Sequence, residues 1–140
     1  MGNPNFLYKT WIRLRWGDMD SMGHINNVQY FRYMEQARVE WLTSLGYTVG
    51  LGGGEDGQVI ADASCVFRFA LKYPADIEIV VSGENPGRSS LKMLYQLKVK
   101  DTDQIVADGV STLVWVSPET GRSKNLPDSI RNIFSESKSE

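Results

Sequence analysis

The sequence predicts an α+β fold in which an antiparallel sheet of about five strands packs against one long helix. The prediction rests on one apolar stripe with helical spacing near the start of the chain, and on several later stretches in which apolar and polar residues alternate. Short turns join these later stretches without intervening helices, which argues against a doubly wound nucleotide-binding fold. With 140 residues and 41% hydrophobic content, the chain is expected to form one domain with a real core.

The first predicted strand covers residues 7–16, and the long helix covers residues 28–45. One face of the strand is apolar, which predicts that this face is buried. Its apolar residues are Tyr8, Ile12, Leu14 and Trp16. The apolar stripe of the helix consists of Tyr30, Met34, Ala37, Trp41 and Leu45. Asn26 and Asn27 are residue types that cap a helix start, and Gly46 is typical of a helix end.

Four more strands are predicted beyond a glycine-rich loop at residues 50–57. They cover residues 59–71, a stretch beginning at residue 77, residues 91–99 and residues 104–116. A short helix is predicted over residues 128–134, and the polar tail 135–140 is expected to fray.

The composition excludes several classes of function. Fifteen basic and seventeen acidic residues give a net charge of −2, so no general basic field is available to hold nucleic acid. No stretch approaches the ~20 apolar residues of a membrane span, and the first residues lack the segments of an export signal. The single cysteine, Cys65, excludes an intrachain disulfide. We therefore expect a cytoplasmic protein that binds neither nucleic acid nor membrane.

Three features that could carry chemistry receive a simpler structural interpretation. Residues 52–57 match the pattern G-x-G-x-x-G, but a strand is predicted after them instead of the helix that binds phosphate in that motif. Cys65 lies inside a predicted strand and is interpreted as a small core residue rather than a nucleophile. A metal site at His24, Asp18 and Asp20 would have one imidazole and two carboxylates on a loop, so no metal is expected.

The segment from residue 17 to residue 31 suits attack on a carbonyl group. A carboxylate on a loop, Asp18 or Asp20, is followed closely by a helix start. Unpaired backbone N–H groups and the helix dipole create a positive potential there, which can stabilise an oxyanion. The carboxylate can attack the carbonyl or deprotonate water. A plain capping loop, in which an aspartate only satisfies helix N–H groups, is the alternative interpretation.

The run GDMDSMGHINNVQY at residues 17–30, continued by FRYMEQAR, resembles the hotdog-fold acyl-CoA thioesterases of the 4-hydroxybenzoyl-CoA thioesterase type. Weaker landmarks follow at residues 71–74, 87–90 and 125–127. The resemblance covers about residues 8–134 and implies a single hotdog domain over residues 1–140, with the sheet wrapped around a long central helix. It also implies an enzyme that hydrolyses the thioester of an acyl-CoA or acyl-ACP (acyl carrier protein) to a free acid and a thiol.

The resemblance implies roles for individual residues. Asp20 is implied as the catalytic carboxylate, either nucleophile or general base, and Asp18 as a structural residue. The backbone N–H of Asn27 is implied to polarise the thioester carbonyl. The residues implied to bind substrate are His24, Asn26, Tyr30, Glu35, Arg88, Ser89 and Ser90.

Simpler roles stay open for several of these residues. His24 can be an ordinary loop histidine. Glu35 lies about 80° around the helix from Asn27, so it can point toward an acyl pocket or be a solvated helix acid. Arg88 can pair with a phosphate of coenzyme A or have an ordinary surface role.

No metal or organic cofactor is expected, because coenzyme A is part of the substrate. An open sheet edge and a helix that covers one face predict association through strands. The resemblance implies a homodimer or homotetramer with sites at the subunit interface. Two other functions are kept as alternatives: a non-catalytic acyl-CoA-binding hotdog module and a hotdog hydratase or dehydratase.

Overall fold

The computed structural model describes residues 4–49 and 56–138, in which one antiparallel sheet of five strands packs against a long helix. The strands are β1 (Asn5–Arg13), β2 (Gly57–Phe67), β3 (Asp76–Glu84), β4 (Ser90–Val99) and β5 (Ile105–Val116). The helices are α1 (Asn27–Ser44) and α2 (Asp128–Lys138), and a 3₁₀ turn covers Trp16–Asp18. The spatial order β1-β3-β4-β5-β2 places β1 and β2 at the two edges. The predicted α+β class and five-stranded antiparallel sheet are therefore confirmed.

Apolar and polar residues alternate along the central strands, and this alternation gives the sheet one buried and one partly exposed face. Every second side chain of β3, and nearly every second side chain of β4, is buried, and those that are apolar share one core with the inner face of α1. Most of the side chains between them lie partly exposed on the opposite face. The clearest alternation in the sequence, at residues 91–99, therefore belongs to a central strand with one buried face.

Helix α1 begins and ends at residues whose chemistry explains its bounds. Asn26 is the N-cap, and its side-chain oxygen accepts a hydrogen bond from the Val28 N–H at 2.9 Å. Gly46, just beyond the helix, has a φ of 93°, a conformation that glycine adopts without strain. Leu45, the last residue of the predicted stripe, is exposed because it caps the helix instead of continuing it. The inner face of α1 consists of Tyr30, Tyr33, Met34, Ala37, Trp41 and Leu42.

A glycine in β5 lets α1 approach the middle of the sheet. A Cβ at Gly109 would collide with the sulfur of Met34. Met34 is only 2% exposed, so it has little room to move away. The missing side chain at Gly109 therefore sets the distance between helix and sheet at this point.

The first strand differs from the prediction at its C-terminal end. It ends at Arg13 instead of residue 16, because the Leu14 N–H donates to the Ala75 carbonyl and the chain then enters the 3₁₀ turn. Trp16, predicted on the buried face, lies in that turn and is 71% exposed. The prediction that Trp16 is buried is therefore wrong.

Later boundaries shift as well. Strand β2 ends at Phe67, four residues before the predicted end, since the next two N–H groups both donate to the Val106 carbonyl. Its first residue is Gly57, so the strand predicted after the glycine pattern is present, although residues 50–55 lie outside the described residues. Helix α2 continues to Lys138, so the backbone of residues 135–138 is helical where fraying was expected.

Buried side chains hold α2 against the rest of the core. Ile130 is fully buried and Phe134 is 4% exposed. Because tertiary packing stabilises most short helices, these two anchors account for the helical backbone that follows them. Among the described residues, no helix is both long and apolar enough to cross a bilayer.

Candidate active site

The segment between β1 and α1 forms a compact turn. The Asp20 N–H donates to the His24 carbonyl at 2.8 Å, and the Gly23 N–H donates to the Asp20 carbonyl at 3.0 Å. Gly23 has a φ of 80°, which favours a residue without a Cβ. The Asn26 N–H donates to the Asp18 carbonyl at 3.0 Å, which joins the two ends of the turn. The motif at residues 17–30 is therefore held in one defined geometry.

Asp18 connects this turn to the inner face of α1. Its carboxylate accepts a hydrogen bond from the Tyr33 hydroxyl at 2.8 Å, and Tyr33 is only 5% exposed. Burial and the neighbouring carboxylate raise the pKa of Tyr33, so the tyrosine remains a protonated donor. One of the two aspartates of the motif is thus occupied by a contact within the fold.

Asp20 has a different environment. Its side chain is exposed, and its Oδ1 accepts a hydrogen bond from the Met22 N–H at 2.9 Å. Within residues 4–49 and 56–138, its other oxygen has neither a hydrogen-bond nor an ion-pair partner. One oxygen of Asp20 fixes the orientation of the carboxylate, and the other remains available to water or to a ligand.

The first turn of α1 presents a backbone donor. The Val28 N–H is taken by the Asn26 side chain, and the Gln29 N–H donates to the Asn26 carbonyl at 2.9 Å. The Asn27 N–H, between them in sequence, has no acceptor among the residues that the structure describes. Because the helix dipole adds positive potential at this end, the Asn27 N–H can stabilise a negatively charged oxygen.

Asp20 and Asn27 line the same cavity, whose volume is about 290 Å³. His24 and Tyr30 line it too, so the structure brings together four of the predicted site residues. Asn26 acts instead as the helix cap behind it. The opposite wall is the end of β2 and the residues after it: Phe67, Arg68, Phe69 and Ala70.

Tyr30 forms an apolar wall of this cavity. It is 2% exposed, and its ring makes an edge contact with Phe67 at a centroid distance of 5.0 Å. Its hydroxyl donates to the Phe69 carbonyl at 3.4 Å, and burial raises its pKa. Tyr30 therefore offers a neutral ring to any ligand in the cavity.

Glu35 lies in a second cavity, with a volume of about 480 Å³, between α1 and β2. The lining of this cavity begins at Val28, the residue directly after Asn27. Glu35 and Asp20 therefore line different cavities. The two cavities are lined by consecutive residues of α1, Asn27 in the first and Val28 in the second. Contact of Glu35 with an acyl group stays a prediction.

Arg88, Ser89 and Ser90 lie at the other end of the sheet. On β5, the partner of Ser90 is Val114 and the partner of Phe67 is Ala107. Seven residues of extended strand separate these partners, about 23 Å. Within one chain, the structure therefore does not bring this group together with Asp20.

The Arg88 group is joined to the C-terminal segment by hydrogen bonds. The guanidinium of Arg88 donates to the Asn125 side-chain oxygen at 2.9 Å and to the Ser123 hydroxyl. The Leu126 N–H donates to the Arg88 carbonyl at 2.7 Å. The Ser89 carbonyl accepts a hydrogen bond from β5. The substrate role predicted for these residues would have to coexist with this structural one.

Cys65 and the candidate metal ligands show no activated arrangement. Burial raises the pKa of the Cys65 thiol to about 11, so the thiol is neutral at physiological pH. In the described part of the chain, no three His, Cys, Asp or Glu side chains are grouped as metal ligands.

Three features near the cavities were not among the predicted site residues: Tyr33, Arg38 and the residues after Phe67. Tyr33 shows a signal that could have been used, because a buried tyrosine on a helix needs a partner for its hydroxyl. Arg38 lies directly beside the apolar stripe of α1 and donates to the Tyr95 hydroxyl at 3.1 Å. The residues after Phe67 gave no such signal, since the alternation of β2 continues through them in the sequence.

The chain and its fold match a known group of proteins. The model of the thioesterase-like superfamily matches residues 14–134, and this chain belongs to that superfamily. Its fold is the hotdog fold, as the resemblance implied.

Individual proteins that are similar to this chain are consistent with this family assignment. A candidate thioesterase from Pseudomonas aeruginosa, PA2801, is 35% identical, with 93% of this chain and 99% of that chain covered and a TM-score of 0.87. A candidate acyl-CoA thioesterase from Xanthomonas campestris is 28% identical, with 87% and 100% covered and a TM-score of 0.75. The uncharacterised protein YsmA from Bacillus subtilis is 25% identical over 127 residues, which are 89% of this chain and 82% of YsmA. Membership of the family supports thioester hydrolysis as the general activity.

Proposed function

We propose that this protein hydrolyses the thioester of an acyl-CoA or acyl-ACP to a free carboxylic acid and a thiol. The observation that carries the proposal is the shared cavity, in which the Asp20 carboxylate has one unoccupied oxygen and the Asn27 N–H lacks an acceptor among the described residues. A carboxylate and an oxyanion donor at one cavity are the two groups that acyl transfer to water requires.

In the proposed reaction, the thioester carbonyl oxygen accepts a hydrogen bond from the Asn27 N–H. Asp20 removes a proton from water while the water oxygen attacks the carbonyl carbon. The negative charge that develops on the carbonyl oxygen is stabilised by the helix start. The C–S bond then breaks, the acid is released, and the proton on Asp20 passes to the thiolate.

Asp20 can also act as the nucleophile. Its free oxygen would then attack the carbonyl, the C–S bond would break, and water would hydrolyse the resulting anhydride. Both routes use the same two groups, and they differ in whether the acyl group is bonded to Asp20 between the two halves of the reaction. His24 and Tyr30 contribute as cavity walls, and Asn26 contributes by fixing the helix start.

Association of subunits is part of the proposal. Strand β2 is an edge strand, and its residues 61–64 are exposed, so a homodimer or homotetramer would cover this edge. In such an assembly, Arg88, Ser89 and Ser90 of one copy could lie near the cavity of another and contact coenzyme A. Sedimentation at micromolar concentration tests the assembly, and a persistent monomer would contradict it. A cytoplasmic location, the absence of nucleic-acid and membrane partners and the absence of a cofactor stay predictions of the sequence.

Replacement of Asp20 by Asn tests the activity. Because the variant keeps the size of the side chain and loses the base, thiol release from acyl-CoA should fall about 100-fold or more in kcat, with an unchanged melting temperature. Asp103→Asn, on an exposed turn, is the matched control and should keep wild-type kcat. Equal rates for wild type and Asp20→Asn would contradict the proposal and favour a non-catalytic acyl-CoA-binding module. Hydration of an enoyl-CoA by the wild type, without thiol release, would favour a hydratase.

A further inference from the structure

The cavity between α1 and β2 has an apolar wall and a polar floor. Its apolar lining residues are Val28, Phe31, Met34, Ile60 and Ala63. At the floor, the Tyr95 hydroxyl lies 2.8 Å from the Ser111 hydroxyl and accepts a hydrogen bond from the Arg38 guanidinium at 3.1 Å. Tyr95 and Ser111 are 2% and 1% exposed, so these hydroxyl groups are withdrawn from bulk water.

The charge of Arg38 is not matched by a carboxylate. Among the described residues, no acidic side chain lies within ion-pair distance of its guanidinium, although the side chain is half-buried. A guanidinium has five N–H donors, and the described contacts use one nitrogen of Arg38. Burial of a charge is unfavourable unless an opposite charge compensates it. This cation is therefore suited to a ligand that brings its own anionic oxygens.

The remaining charges of the cavity favour an anion as well. Arg32 and Glu35 also line it, and both are exposed, so solvent screens them more than it screens Arg38. The lining carries two cationic side chains and one anionic side chain. An anion would therefore be favoured at the floor, where screening is weakest.

The cavity runs along α1 from the helix start. Val28 borders it at one end and follows Asn27, which lines the first cavity. Arg38 borders the other end, eleven residues beyond Asn27, which corresponds to about 16 Å of helix. Helical side chains tilt toward the N-terminus, so the guanidinium lies closer to Asn27 than that length. An extended chain that enters this cavity at Val28 would run toward Arg38.

We propose that this cavity binds the acyl chain and that Arg38 recognises a second carboxylate at the far end of that chain. The inference rests on the proposed function and narrows its substrate class to medium-length acyl-CoA esters that end in a carboxylate. In this arrangement the thioester carbonyl lies at Asn27, the methylene groups contact Phe31 and Ile60, and the terminal carboxylate accepts hydrogen bonds from Arg38.

The test compares pairs of CoA esters of equal chain length that differ only at the far end. Adipoyl-, suberoyl- and sebacoyl-CoA are measured against hexanoyl-, octanoyl- and decanoyl-CoA, with 8-hydroxyoctanoyl-CoA as the neutral polar probe. For at least one pair, wild type should show a kcat/KM that is about 10-fold or more higher for the carboxylate-ended ester. In Arg38→Met, this preference should disappear, because kcat/KM should fall more for the carboxylate-ended ester than for the alkyl ester of the same length.

Arg32→Met is the matched control, because Arg32 lines the same cavity at an exposed position without a contact to Tyr95. It should keep the preference for the carboxylate. Tyr95→Phe, which removes the hydroxyl that holds Arg38, should weaken the preference without inverting it. If Arg38→Met does not fold, Arg38→Gln supplies the same loss of charge with a polar side chain.

A binding measurement tests the carboxylate site at Arg38 separately from the proposed thioester hydrolysis. Calorimetric titration of octanedioate and octanoate into wild type and Arg38→Met requires no turnover, and octanedioate should bind wild type more tightly only when Arg38 is present. If no CoA ester releases thiol but this binding difference is found, the proposed function fails and the carboxylate site stands. If alkyl esters are hydrolysed as fast as carboxylate-ended esters and Arg38→Met changes neither, the inference fails and the proposed function stands. A preference for 8-hydroxyoctanoyl-CoA over suberoyl-CoA also overturns the inference.

Discussion

The turn before α1 and the start of β4 both carry clustered polar residues, but the two regions use their hydrogen-bonding groups differently. In the turn, one oxygen of Asp20 and the Asn27 N–H have no partner within the described parts of the chain. At the start of β4, the guanidinium of Arg88 and the carbonyls of Arg88 and Ser89 are all bonded to other segments of the protein. A polar group with an unused donor or acceptor beside a cavity can act on a ligand, whereas a group whose described hydrogen bonds all join segments of the protein mainly holds the fold.

Among the variants that test this comparison, Asn27→Pro should have the largest effect on activity, because it removes the unused N–H itself. Proline is well tolerated at the first position of a helix, and the preceding residue Asn26 already has the extended backbone that proline requires, with φ −62° and ψ 139°. Loss of an oxyanion donor should lower kcat for thiol release by about 100- to 1000-fold. Thermal unfolding and circular dichroism should remain close to wild type.

Asn27→Ala is the control for this substitution, because it removes the exposed side chain and keeps the N–H. It should retain most of the activity. An equal loss of kcat in Asn27→Ala and Asn27→Pro would mean that the side chain, and not the backbone, acts on the substrate.

Tyr33→Phe should have a smaller effect, because it breaks only the hydrogen bond to Asp18 and keeps the buried ring. The unfolding free energy should fall by about 1–3 kcal/mol, since a charged acceptor loses its donor. The turn that carries Asp20 should also become less well positioned, so kcat should fall by about 10-fold, an expectation based on the cost of small displacements of catalytic groups. Denaturant unfolding and steady-state thiol release measure the two effects.

Two substitutions of Asp18 test the same contact. Asp18→Ala removes the acceptor of the Tyr33 hydrogen bond and should lose activity. Asp18→Asn keeps an oxygen that can accept this bond, so it should retain most of the activity that Asp18→Ala loses. Equal kcat values for Asp18→Ala and wild type would show that the bond stabilises the fold without positioning Asp20.

Arg88→Ala should affect stability more than activity. The variant loses the hydrogen bonds to Asn125 and Ser123, and the unfolding free energy should fall by about 1 kcal/mol because both bonds are exposed. If Arg88 has only this structural role, KM for acyl-CoA stays unchanged. An increase in KM for acyl-CoA, with no increase for an acyl thioester that lacks the nucleotide, would instead support the predicted contact with coenzyme A.

The smallest effect is expected at Cys65. The pKa of the thiol is raised from 9.0 to about 11, mainly by burial and secondarily by Asp108, so at pH values below 9 its thiolate fraction should be about 100-fold lower than that of a free thiol. Alkylation by iodoacetamide should therefore be slow at neutral pH and accelerate as the pH rises toward 11. Cys65→Ser should keep wild-type thiol release. Fast alkylation at neutral pH that abolishes activity would contradict the interpretation of Cys65 as an inert residue.

Local patterns in the sequence were sufficient for most of the fold. The alternation in 91–99 predicts β4 because the two faces of a central strand meet different environments, and Asn26 predicts the start of α1 because its side chain caps the helix. Ends of strands were less predictable. Trp16 and the residues after Phe67 continue an apolar pattern, but hydrogen bonds to distant segments redirect the chain there. Such partners are far apart in sequence, so no local pattern contains them.

The candidate site was predictable where it is contiguous in sequence. Asp20, His24, Asn27 and Tyr30 lie within eleven residues and meet at one cavity. The floor formed by Arg38, Tyr95 and Ser111 joins three separate elements, and its residues look like ordinary members of their helix and strands. The separation of Glu35 from Asp20 depends on where β2 crosses α1, which only the packing of the two elements decides.

The donor at Asn27 belongs to the main chain, and this has a consequence for genetic screens. A saturation library at this position should tolerate nearly every side chain and reject proline, although proline suits a helix start. A map of mutational tolerance would then score position 27 as unimportant if it averaged over substitutions. In this protein, the most informative substitution at the proposed catalytic centre would be the one that such a map scores differently from all others at its position.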